Sequence, residues 1–67
     1  MTKHIELWGD DAGYSIRVIE TIDGQERLRD VTVRYTLDAA KETAAAWAVA
    51  HGNCVVRDLT QGGPRPV

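Results

Sequence analysis

The sequence predicts a small α+β domain: a sheet of about four strands, antiparallel but mixed at one edge, with one alanine-rich helix packed on one face, in the order β-β-β-α-β. Three observations carry that expectation. Apolar and polar residues alternate with a period of two through much of the first half of the chain, the pattern of half-buried strands. An Asp23-Gly24 pair joins two such segments, which is the strongest short-range signal for a tight hairpin. An alanine-rich stretch with helical spacing then begins after Thr36 and stops at Gly52.

The first strand covers Lys3 to Trp8, with His4, Glu6 and Trp8 on one side and Ile5 and Leu7 on the other. Gly9-Asp10-Asp11-Ala12-Gly13 supplies residues that tolerate positive φ or bond their own backbone, so a turn follows. Tyr14 to Ile22 is the clearest strand, rich in β-branched and aromatic residues. Its Tyr14, Ile16, Val18 and Ile22 share one face against Ser15, Arg17, Ile19 and Thr21. The third strand returns antiparallel within Glu26 to Tyr35, where Leu28 falls out of step with Val31, Val33 and Tyr35. A bulge near Arg29-Asp30 accounts for that slip; without one, Leu28 faces solvent.

Thr36 is placed to cap the helix and Asp38 to meet its dipole in the first turn. At 100° per residue Leu37, Ala40, Ala44, Trp47, Ala48 and His51 gather on the core side. Ala45, Ala46 and Val49 leave a small apolar strip on the opposite side, a second candidate contact surface. Gly52 serves as the left-handed cap, and Cys54 to Leu59 forms a last strand. A helical crossover makes that strand parallel to the third and seats it beside the first, giving spatial order 4-1-2-3. Residues 1–59 thus form one domain. Residues 60–67, with Gly62, Gly63, Pro64 and Pro66, form a flexible C-terminal tail.

Composition narrows the function. A chain of 67 residues buries only roughly 60% of its unfolded surface, so the core is thin and self-association would stabilise it. Eight basic residues against ten acidic ones give a net charge of −2, which offers no field for nucleic acid or an anionic membrane. Cys54 is the single cysteine, so an intramolecular disulfide and a multi-cysteine metal site are excluded and a reducing, cytoplasmic setting is expected. No apolar run approaches the ~20 residues that span a bilayer.

Chemistry finds little support. His4 and His51 lack further ligands at metal spacing, and no cofactor is implied. His51 is read as a last-turn residue at the helix C-terminus. Cys54 and His51 have the spacing of a thiol and its base, against the simpler reading of Cys54 as a small buried apolar residue. Asp10, Asp11 and Asp23 suit turns, and the glycines match no phosphate-binding spacing.

One face is less bland. With Ile5, Leu7, Ile16, Val18, Val31, Val33 and one of Cys54 or Val55 turned to the helix, His4, Glu6, Trp8, Arg17, Ile19, Thr32, Arg34 and Arg57 face away. Tryptophan and arginine are the residues most enriched at binding hot spots, which makes Trp8, Arg17, Ile19, Arg34 and Arg57 the expected protein-interaction residues. The competing reading is an ordinary solvated face, its arginines paired with Glu6, Glu20 and Asp58. A nucleic-acid variant would stack bases on Trp8, and the net acidity disfavours it.

The run Thr36-Leu37-Asp38-Ala39-Ala40, the alanine-rich helix, a glycine and then Cys54-Val55-Val56-Arg57-Asp58 resembles small uncharacterised bacterial and phage proteins of β-β-β-α-β type, over under half of the chain. Phage anti-defence proteins of this style occupy a surface of a host protein, and the resemblance implies a role of that kind without assigning any functional residue. The leading expectation is therefore a non-enzymatic protein-binding module, of phage or mobile-element type, acting on a host protein through the outer sheet face. The alternatives are a homodimeric structural or regulatory protein, then a nucleic-acid-binding domain or a Cys–His thiol enzyme.

Overall fold

The computed structural model describes residues 2–60, the side chain of Asp10 excepted; beyond Thr60, the tail expected from the sequence lies outside the described residues. Three strands, β1 (Thr2–Asp10), β2 (Gly13–Ile22) and β3 (Gln25–Arg34), precede one helix, α1 (Leu37–Ala50), and a short strand, β4 (Val55–Asp58). The sheet runs β3-β2-β1-β4. β1 and β3 pair antiparallel with β2, while β4 runs parallel to β1, so the expected α+β class, strand order and mixed edge are all present.

Local chemistry explains the joints. Asp23 and Gly24 have φ of 53° and 80°, the double positive φ of a type I′ turn, whose twist matches the strands it joins. Thr36 Oγ1 accepts from the Ala39 amide at 3.2 Å and so caps α1. At the other end the His51 amide donates to the Trp47 carbonyl at 2.9 Å, and Gly52 turns left-handed at φ 92°. The Cys54 amide then donates to the Ala48 carbonyl, which leads the chain directly into β4.

The core is a single layer between α1 and the sheet. Ile5, Leu7, Ile16 and Val18 are its large, fully buried side chains, and Ala40, Ala44 and Ala48 form the helix stripe above them. Spacing of four places those alanines on one line, and their small size lets the helix backbone approach β1 and β2 closely. Tyr14, Trp47 and Cys54 close the margins.

β3 departs from the sequence reading. Val18 pairs with Asp30 but Ile19 with Leu28, so Arg29 is the extra residue of the expected bulge. Val31 then stands opposite Arg17 and Val33 opposite Ser15, whereas Thr32 faces Ile16 and Arg34 faces Tyr14. Cross-strand partners share a face. Val31 and Val33 therefore point away from the helix, and Thr32 and Arg34 point toward it, the reverse of what was expected. The cause is the turn: pairing Ile22 with Gln25 fixes Leu28 opposite Ile19, and the bulge keeps both valines in step with Leu28. Glu20 and Asp58, expected to pair with the outer arginines, also lie on the helix side, opposite Arg27 and Leu7 respectively.

Candidate functional site: the open sheet face

α1 covers one face of the sheet, and among the described residues no element covers the other. On that open face the residues of β1 are His4, Glu6 and Trp8, two apart and therefore on one side. The Glu6 carboxylate joins both neighbours: its Oε2 lies 2.9 Å from His4 Nε2, and its Oε1 accepts from Trp8 Nε1 at 3.0 Å. Across the strands Glu6 stands between Arg17 of β2 and Arg57 of β4. The Arg17 guanidinium lies over the Trp8 ring, 5.2 Å from its centroid, in a cation–π contact.

Glu6 is thus the centre of a cross, with two rings along the strand and two guanidiniums across it. Burial raises its pKa, but the hydrogen bonds with His4 and Trp8 and the charges of His4 and Arg57 outweigh that, leaving the carboxyl below its ordinary 4.5. His4 is nearly enclosed, at 9% exposure. The arrangement fixes the orientation of Trp8 at both its nitrogen and its ring.

Beside this polar cross runs an aliphatic strip. Leu28, Val31 and Val33 of β3 are 58%, 47% and 48% exposed, and half-buried Ile19 of β2 adjoins them. Val55 of β4 is exposed at the opposite edge.

Of the residues picked from sequence, Trp8, Arg17, Ile19 and Arg57 share the open face. Arg34 does not: it sits on the helix side, where its Nη1 donates to Thr32 Oγ1 and the Val33 carbonyl. Glu6 as organiser was missed, as were Leu28, Val31 and Val33. Counting pairs outward from the Asp23-Gly24 turn is the signal that would have found the strip.

Elsewhere, the Cys54 thiol donates to the His51 carbonyl at 3.1 Å, while the His51 ring packs against Trp47 at 6.2 Å; the thiol and imidazole are not paired with each other. Among the described residues no three His, Cys, Asp or Glu side chains cluster to hold a metal ion, and no helix is long and apolar enough to cross a membrane. Ala45, Ala46 and Val49 are exposed on α1, as expected. Compared with known proteins, the chain matches no family model, no curated protein and no solved structure.

Proposed function

We propose that this chain is a non-enzymatic protein-binding module whose contact surface is the sheet face that α1 leaves open. The observation that supports the reading is the Glu6-centred cross: a tryptophan and an arginine held in place, with a second arginine beside them, next to exposed aliphatic side chains. Such a surface combines large contact area, directional donors and little ordering cost. A solvated face has no use for an enclosed histidine or a tryptophan fixed at both its nitrogen and its ring.

The test compares the intact chain with the Trp8→Ala/Arg17→Ala variant as immobilised bait in extract of the source cells. The intact chain is expected to retain a protein that the variant does not, with equal helix content by circular dichroism. Equal retention by both would remove this reading.

A further inference from the structure

We propose that the occupant of the open face is a second copy of this chain, stacked face to face about a two-fold axis parallel to the strands. This rests on the reading of that face as a protein-binding surface and names what binds there.

The register supplies the argument. Side chains opposite one another across the sheet form rows, and two rows dominate the open face: Leu28, Ile19, His4 and Val55, then Val31, Arg17, Glu6 and Arg57. A two-fold axis along the strands lays each row on its own reverse. The first row then sets Leu28 on Val55 of the second copy and Ile19 on its His4. The second sets Arg17 on Glu6 of the second copy twice over, and Val31 along the stem of its Arg57. Opposite charges meet, and aliphatic ends meet aliphatic ends.

Charge balance points the same way. A face that meets itself cannot carry a net charge without repelling its copy. Among the side chains described on the four strands' open face, Glu6 and Glu26, the latter opposite Thr21, match Arg17 and Arg57.

Size also suffices. The molecule is a slab with extents of 33 × 29 × 15 Å, and a face with the two longer sides is of the order of the roughly 800 Å² each partner gives to a standard interface. Aligned packing of two sheets about 10 Å apart is a recurrent arrangement. The β3 edge is a poorer self-contact, because its bulge and its charged Arg27, Arg29 and Asp30 are devices that block edge pairing.

Analytical ultracentrifugation of the full chain from micromolar to millimolar concentration tests the proposal. The mass is expected to rise toward that of two chains. Val31→Lys, which sets a cation over Arg57 of the second copy, is expected to weaken the dimer at least about tenfold. Val31→Glu, which sets an anion there, is expected to keep it. Both replacements are at an exposed site, and helix content by circular dichroism equal to that of the intact chain verifies that they fold. A monomeric mass at every concentration overturns the proposal, as does a dimer that responds alike to both variants. A monomer whose capture of another protein still depends on Trp8 and Arg17 overturns the occupant alone and leaves the binding face standing.

Discussion

Ile16 and Val18 lie fully buried beneath α1, while Arg17 and Ile19, one residue along in each case, point into the open face. The same strands therefore serve two surfaces held by different physics. On the covered face order comes from area: four large aliphatic side chains and an alanine stripe, each large one contributing about 1.5–3 kcal/mol. On the open face order comes from direction: one carboxylate bonds two rings, and a guanidinium rests on one of them. Losses on the first face should therefore appear as instability and losses on the second as lost recognition.

The largest effect that could break this division is Ile16→Ala. Removing a side chain with no exposed surface should cost about 2–5 kcal/mol, much of the stability of so small a domain, and lower the melting temperature by at least ~10 °C. A shift of only a degree or two would mean that the covered face is not the source of stability. Thr36→Ala, at the cap of the helix that does the covering, should cost about 1 kcal/mol by chemical denaturation. A neutral result would show that α1 is held by packing alone.

The smallest effect concerns Glu6. Its folded carboxyl titrates below its ordinary 4.5, so the unfolded chain takes up the proton first on acidification. The stability this group contributes is therefore present above pH 4.5 and is lost as pH falls through 4.5 to its lower folded value. The difference in melting temperature between the intact chain and Glu6→Gln should shrink across that window. A difference that grows toward acid would contradict the hydrogen bonds drawn to His4 and Trp8.

How legible these faces were in the sequence also differs. The place of β4 beside β1 follows from the helical crossover; the helix, its capping threonine and its alanine stripe follow from local signals, because capping and helical spacing act within a turn or two of chain. So do the faces of β1 and β2, where alternation is unbroken. β3 was misread because its apolar residues were assumed to be core. Two adjacent features decide its facing: the two-residue turn sets parity at Ile22 and Gln25, and the Arg29 bulge carries Val31 and Val33 outward with Leu28. α1 packs mainly on β1 and β2, so nothing compels the aliphatic residues of β3 to face it. Trp8, Arg17, Ile19 and Arg57 were legible as face residues from alternation alone. That one carboxylate bonds both His4 and Trp8 was not, since alternation places His4, Glu6 and Trp8 on a face without specifying their bonds. Arg34 failed with the rest of its strand.

The most direct test of the division between the faces takes the Trp8→Ala/Arg17→Ala variant and measures its melting temperature and its retained protein on the same preparation. Neither side chain belongs to the buried core, so the melting temperature should fall far less than in Ile16→Ala while retention is lost. A fall as large as that of Ile16→Ala, or retention equal to that of the intact chain, would contradict the account.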